Sequence, residues 1–243
     1  NTRGGAENTS TYETESYGIY VESGNLTINS GTVNASAVDT VECEAMAYIK
    51  AISAGIEVQN GDMTVNGGTV TAKGSDYIEI NSSSNAVYGS SCGISVSRSS
   101  TNRTARLLIN GGTVQASGAM KSYNGGVRAH GTSSQAKNYG VCAPQLVSIT
   151  GGSLTATSGE SKYWTNGSLS GTDTSFGVAT SNFTMSGGSA LVTSEVLALG
   201  PTGAKIEINL SNVTATLSDD TDGSSPSEYN EYKATRCKWF SAN

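Results

Sequence analysis

The chain has 243 residues and a formal net charge of -6, and Ser, Thr, Asn and Gly make up close to half of it. Lys and Arg number 14 against 20 Asp and Glu, so the sequence lacks the positive charge that displaces counterions from a nucleic acid. No apolar stretch approaches the roughly 18 residues of a membrane-spanning helix. Nucleic acid is therefore excluded as a partner, and no membrane span is predicted.

An internal repeat organises the chain after residue 16. Variants of Leu-Thr-Ile-Asn-Gly-Gly-Thr-Val-x-Ala recur from Leu26, Met63, Leu107, Val147, Phe183 and Ile206. A segment related to Gly-Ile-x-Val precedes five of these copies, starting at Gly18, Gly55, Gly93, Gly140 and Gly177. Self-similarity of this kind predicts one solenoid over residues 17–218. Residues 1–16 are predicted to be an N-terminal extension or cap, and residues 219–243 a C-terminal cap.

Each repeat holds three short segments in which apolar and polar residues alternate. In the second repeat the apolar set is Ile56, Val58, Met63, Val65, Val70 and Ala72. A period of two that is rich in Val, Ile and Thr favours β-strands. Three such strands cannot bury an apolar face alone, whereas stacked repeats can. We therefore predict an all-β fold, a parallel β-helix with three strands in each of about six turns.

An Asn column is predicted at one corner of the shaft. Asn29, Asn66, Asn110 and Asn209 are equivalent, and Thr150 and Ser186 replace them in the other copies. Stacked side-chain amides can hydrogen-bond along the shaft, and the Gly that follows supplies the turn. We interpret this column as structural.

The remaining residues are inserted after the third strand, at roughly 37–53, 74–91, 118–138 and 158–175. They are predicted to be long loops that leave from one corner and cluster on one side. The first two are acidic and contain Asp39, Glu42, Glu44, Asp76 and Glu79. Ca²⁺ takes six to eight oxygen ligands, several of them carboxylates. The alternatives are a calcium site formed by these five residues and simple solvated loops.

The third and fourth insertions differ from the first two. The third is basic and contains Lys121, Arg128, His130 and Lys137, and the fourth contains Tyr163 and Trp164. Aromatic side chains in a polar loop can stack on the apolar face of a sugar ring. Tyr163 and Trp164 are therefore candidate ligand-binding residues, with packing against the shaft as the alternative.

Cysteine and catalytic patterns are weak. Cys43, Cys92, Cys142 and Cys237 lie far apart, which leaves two disulfides or four free thiols open.

No pair of carboxylates falls on the predicted strand faces at the spacing that glycoside hydrolysis needs. Arg98, Arg103, Arg106 and Lys73 are scattered basic residues of the kind that a lyase could use. No catalytic residue is predicted, and whether the chain is an enzyme stays open.

The Gly-Ile-x-Val and Leu-Thr-Ile-Asn-Gly-Gly-Thr-Val-x-Ala-Ser segments resemble those of secreted bacterial right-handed parallel β-helix proteins. They are most similar to the clostridial carbohydrate-binding β-helix family, whose shape is related to that of pectate lyases. The resemblance covers about residues 17–218. It implies right-handed winding, calcium-dependent binding of plant polysaccharides such as polygalacturonate, and an extracellular or cell-wall-attached protein. The family's acidic calcium loops correspond loosely to the five carboxylates named above.

These observations lead to one expected function and two alternatives. The expected function is non-catalytic, extracellular binding of a polysaccharide, an acidic or plant cell-wall glycan, with calcium as the candidate cofactor. The first alternative is a cell-surface adhesin or stalk segment that binds a host protein. The second is a polysaccharide lyase.

Overall fold

The computed structural model describes residues 11–45, 48–82, 85–99, 103–120, 126–171, 175–194, 197–199, 205–208 and 213–219. In this part of the chain all regular structure is β, and there is no α-helix. The same residues accordingly include no long apolar helix that could cross a membrane. Of the predicted caps at residues 1–16 and 219–243, residues 1–10 and 220–243, with Cys237, lie outside the described residues, and residues 11–16 are part of a strand.

The strands form four sheets that run along a solenoid. The first contains β1 (Thr11–Val21), β5 (Tyr48–Gln59), β9 (Val87–Ser97), β13 (Ser134–Cys142), β18 (Ser175–Ala179) and β21 (Leu197–Leu199). The second contains β2 (Leu26–Ile28), β6 (Met63–Val65), β10 (Arg106–Ile109), β14 (Leu146–Ile149), β19 (Asn182–Met185) and β22 (Lys205–Ile208). The third contains β3 (Thr32–Ser36), β7 (Thr69–Lys73), β11 (Thr113–Ser117), β15 (Ser153–Ser158), β20 (Gly188–Ser194) and β23 (Val213–Asp219). The fourth contains β4 (Thr40–Glu44), β8 (Tyr77–Asn81), β12 (Gly126–Gly131), β16 (Ser161–Thr165) and β17 (Ser168–Gly171).

The fold is a parallel β-solenoid, as the repeat predicts. Equivalent strands of successive coils pair in parallel, and among the described strands only β16 and β17 pair antiparallel. About four turns are complete, because the first four coils have a strand in every sheet and later coils add strands to three sheets. This differs from the expectation of about six turns. The right-handed winding stays a prediction.

The repeat places its apolar positions inside, as predicted. All six positions of the second repeat, from Ile56 to Ala72, are buried in the main core between the first three sheets. The first part of the Asn column is also confirmed, whereas Asn209 lies outside the described residues. Asn66 Nδ2 donates to Asn29 Oδ1 at 2.8 Å, and Asn110 Nδ2 donates to Asn66 Oδ1 at 2.9 Å. Thr150 Oγ1 donates to Asn110 Oδ1 at 2.9 Å, so the column continues where the amide is replaced.

The insertions form a second, smaller core rather than long loops. They do lie on one side of the shaft, but they contribute the fourth sheet and the long first halves of β5, β9 and β13. Ile49 and Ala51 of β5 pack with Ile78 and Ile80 of β8 in this second core. Strand β5 can serve both cores because its 12 residues reach from one to the other.

A buried polar column separates the two cores. It consists of residues in register on the first sheet, namely Ser16, Ser53, Ser91, Asn138 and Ser175. We call it the inner polar ladder. Its side chains satisfy backbone groups where the chain turns from the third sheet into the fourth. For example, Ser53 Oγ accepts from Ser75 N at 2.7 Å, and Asn138 Nδ2 donates to Ala119 O at 2.7 Å.

The described cysteines are thiols. Cys43, Cys92 and Cys142 are not disulfide-bonded, and Cys92 is buried on the first sheet. This favours the free-thiol alternative for these three residues.

Candidate functional site

The outer face of the fourth sheet brings the insertion residues into two ladders. The first ladder is Glu42, Glu79, Arg128 and Lys162, in register across β4, β8, β12 and β16. The second, two residues further along each strand, is Glu44, Asn81, His130 and Trp164. Side chains on alternate positions of a strand share a face, so both ladders point outward together. Residues from four different insertions are thereby neighbours.

A groove of about 460 Å³ runs along the ends of these strands. Because it crosses four coils at about 4.8 Å each, it extends for roughly 14 Å along the shaft. Its described lining consists of Glu44, Ala45, Asn81, Ser82, His130, Gly131, Thr132, Asn166 and Gly167. Most of these groups are hydroxyl, amide, carboxylate or backbone groups that hydrogen-bond readily.

A turn between β16 and β17 forms one end of the groove. Asn166 and Gly167 have φ values of 51° and 77°, which is the geometry of a tight hairpin turn. Asn166 N donates to Gly131 O at 3.0 Å and ties this turn to the end of β12. The Asn166 side chain is therefore placed beside the groove by the backbone.

His130 and Trp164 form an aromatic stack beside the groove. Their ring centroids lie 4.0 Å apart and the planes differ by 13°. The Trp164 backbone is held by Ser134, whose Oγ donates to Trp164 O at 2.7 Å. Trp164 covers one face of the imidazole, and the other face is directed along the ladder toward Asn81.

Charged neighbours define the electrostatics of the stack. His130 Nε2 lies 3.7 Å from Glu79 Oε1 and has no hydrogen-bond partner. Desolvation lowers the pKa of His130, Glu79 opposes this shift and Arg128 adds to it, which favours the neutral imidazole at pH 7. The Tyr77 hydroxyl donates to Glu79, and desolvation and this carboxylate raise the pKa of Tyr77 to about 12. The guanidinium of Arg128 lies 5.7 Å from the Tyr77 ring centroid.

The two aromatic candidates lie on opposite faces of β16. Trp164 is on the outer face in the stack described above, whereas Tyr163 packs against the second core. Successive residues of a strand point to opposite faces, which accounts for the difference. Binding stays a prediction for both residues, but only Trp164 stands beside the groove.

The five candidate calcium ligands occupy three places. Asp39 and Asp76 lie on either side of Lys73, with Oδ to Nζ distances of 3.8 and 2.7 Å. Glu42 and Glu79 are register neighbours, and Glu44 lines the groove. Within the described ranges, no three His, Cys, Asp or Glu side chains form a group that could hold a metal ion. Calcium binding stays a prediction.

Three of the four basic residues considered for a lyase are engaged elsewhere, namely Arg106, Lys73 and Arg98. Arg106 Nε donates to Asp62 Oδ2 at 3.0 Å, and a second guanidinium nitrogen donates to the same oxygen at 2.5 Å. Lys73 pairs with Asp76 and Asp39 as described above, and Arg98 donates to the backbone oxygen of Arg103. None of these four residues lines the described groove.

Asn81 and Asn166 line the groove but are not predicted as site residues from the sequence. Both belong to insertions of unequal length, so their alignment with Glu44 and His130 depends on strand pairing. A visible signal existed in Tyr77-Ile-Glu-Ile-Asn81, where apolar residues alternate with polar ones as in a half-buried strand.

A second feature of interest is Glu57, which is buried on the outer side of the first sheet with 4% of its surface exposed. Desolvation raises the pKa of its carboxyl group, although hydrogen bonds from Ser95 and Ser97 oppose the shift. Ser97 Oγ lies 2.5 Å from Glu57 Oε1. A carboxyl group whose pKa is higher in the folded state stabilises the fold when protonated. That stability is present at low pH and is lost as the pH rises through the folded-state pKa.

We therefore expect Glu57→Gln to be more resistant to urea than the wild type at pH 7–8. The difference should diminish as the pH falls toward 4.5, the ordinary pKa of a glutamate. Urea midpoints measured across this pH range test the prediction. The exposed Glu22→Gln is the control and should follow the wild-type curve. An equal or larger advantage of Glu57→Gln at pH 4.5 would contradict the expected sign.

The fold and the groove define the chain as a parallel β-solenoid with one structured face built from its insertions. In comparisons with known proteins the chain matches no protein family, no curated protein and no solved structure.

Proposed function

We propose that the protein binds a polysaccharide in the groove at the end of the fourth sheet. The observation that carries this proposal is the ladder Glu44, Asn81, His130 and Trp164, which combines hydrogen-bonding groups with an aromatic stack along one groove. Saccharides present hydroxyl groups and apolar ring faces together, and such a lining complements both.

The shape of the groove favours a chain-like ligand. It follows the shaft across four coils. A polymer can lie along it and continue beyond both ends, whereas a compact ligand would leave much of it unfilled. Since the lining comes from strands and a tight turn, it is largely formed before binding, which lowers the entropic cost.

The resemblance to the clostridial carbohydrate-binding β-helix family supports the same proposal. It adds an extracellular or cell-wall-attached location and calcium dependence to what we propose. Calcium would be taken up by the carboxylates of the outer face, and repeating the binding measurement with EDTA and with added Ca²⁺ tests this part separately.

Docking of a host protein is the rival function, and the exposed apolar residues argue against it. Val38 and Met120 lie on turns two coils apart, and Leu191 lies on the third sheet. The other large apolar side chains exposed in the described ranges, Tyr12 and Tyr20, lie toward opposite ends of β1. Protein-binding surfaces usually have a contiguous apolar patch, and these five residues are spread over the described surface.

The proposal is tested with Trp164→Ala on a glycan array and then by titration calorimetry with the best ligand. We expect a loss of affinity of about tenfold or more, because Trp164 stacks on His130 and holds the imidazole that lines the groove. Tyr20→Ala is the matched control, since Tyr20 is an exposed aromatic residue on the first sheet, away from the groove. It should leave the affinity unchanged.

A second variant separates binding from folding. Asn81→Tyr should fill the groove next to His130 and abolish binding. Because residue 81 faces outward from β8, this substitution should leave both cores intact. If this variant unfolds in urea like the wild type yet still binds, the groove is not the site. Absence of binding to every neutral, acidic and plant cell-wall glycan would refute the proposed function.

A further inference from the structure

The short side chain of Asn81 leaves a slot within the ladder. Glu44 and His130 are its neighbours on either side, two strand spacings or about 10 Å apart. A ring stacked on the open face of His130 at about 4 Å would stand over Asn81. Roughly 6 Å would then remain to the level of Glu44, a distance that a ring hydroxyl can bridge by donating to its carboxylate.

The net charge around this slot is negative. Glu44 is exposed at one side, and it is the only described lining residue that is charged at neutral pH, because the imidazole of His130 is neutral. Glu42 and Glu79 are on the same face. Of the cations of the face, Lys162 is 2.7 Å from Glu160, and Arg128 lies over Tyr77. A ligand in the slot therefore meets a net negative charge, because the three carboxylates outnumber Arg128, whereas Lys162 is paired with Glu160.

We infer that the slot takes an uncharged, hydroxyl-rich sugar ring and discriminates against uronates, with Glu44 as the residue that sets this specificity. The inference rests on the proposed function, and it departs from the acidic glycans that the family resemblance implies. A uronate carboxylate in the slot would lie within a Debye length of Glu44, about 8–10 Å at physiological salt, so the repulsion is only partly screened. Juxtaposed like charges are a common source of selectivity in binding sites.

The test compares two forms of one ligand on the full chain. Oligogalacturonide and its methyl ester share a backbone and differ in charge. At pH 7 and low salt, we expect the methyl ester to bind about tenfold tighter or more, and added salt should reduce the difference. Glu44→Gln should improve binding of the free acid and bring the two forms within about threefold. Glu42→Gln, on the same strand and face but outside the groove lining, should change the ratio much less.

The outcomes distinguish the inference from the function on which it rests. Equal or tighter binding of the free acid, with EDTA or with Ca²⁺, would overturn the inference while leaving saccharide binding intact. An unchanged ratio in Glu44→Gln would remove Glu44 as the specificity residue. If neither form binds and no neutral oligosaccharide binds either, the proposed function fails and takes the inference with it.

Discussion

Replacing Gly93 with alanine should strongly destabilise the solenoid. A Cβ atom at this position would lie 2.6 Å from the Gly140 carbonyl oxygen and 2.7 Å from the Ala116 carbonyl carbon, and closer still to the Ser117 nitrogen. These are backbone atoms of two sheets, and they are held by pairing with the coils on either side. We expect a loss of about 3 kcal/mol or more in the free energy of unfolding, at the upper end of overpacking effects.

Gly24→Ala is the matched control for this prediction. Gly24 has a φ of 106°, and a Cβ atom there would meet nothing within 4 Å. It should cost about 1–2 kcal/mol from backbone strain alone. Urea unfolding of both variants gives the comparison. A loss at Gly93 no greater than that at Gly24 would show that the first and third sheets do not touch as closely as the structure has them.

The Gly-Ile-x-Val segment illustrates what the sequence can predict and where it fails. Its period-two pattern correctly places Ile94 and Val96 inside. The role of the glycine before them is not visible in the pattern, because it depends on a contact with Ser117, which is 24 residues further along the chain. Alternation reports which face is buried, whereas a close approach between sheets is a tertiary property.

The second core was missed for a related reason. The insertions have different lengths and no common motif, so self-similarity does not detect them as parts of a repeat. Their strands are nevertheless visible individually, as in Tyr77-Ile-Glu-Ile-Asn81. What the sequence cannot supply is the register between β8 and β12, which alone places His130 beside Asn81. The candidate site therefore depends on information that only the paired strands contain.

Ser53→Ala should reveal how much the inner polar ladder contributes to stability. Ser53 is fully buried, and its Oγ accepts from Ser75 N and contacts Ser75 Oγ, both at 2.7 Å. Alanine removes both interactions and leaves a buried N–H group without this acceptor. A buried donor that loses its partner costs about 1–3 kcal/mol, and the hydroxyl bond adds about 1 kcal/mol. We expect a total loss of about 2–4 kcal/mol in urea unfolding.

Ser75→Ala separates the two contributions, because it removes the bond between the hydroxyl groups but leaves Ser75 N bonded to Ser53 Oγ. It should cost only about 1 kcal/mol. The double variant should cost no more than Ser53→Ala alone, because the bond between the two hydroxyl groups can be lost only once. The double variant also removes the Ser75 hydroxyl group, which Ser53→Ala alone would leave buried without its partner. Equal losses in the two single variants, or additive losses in the double variant, would contradict this account. The inner polar ladder would then only fill the space between the two cores. It would not supply the hydrogen bonds that stabilise the turn from the third sheet into the fourth.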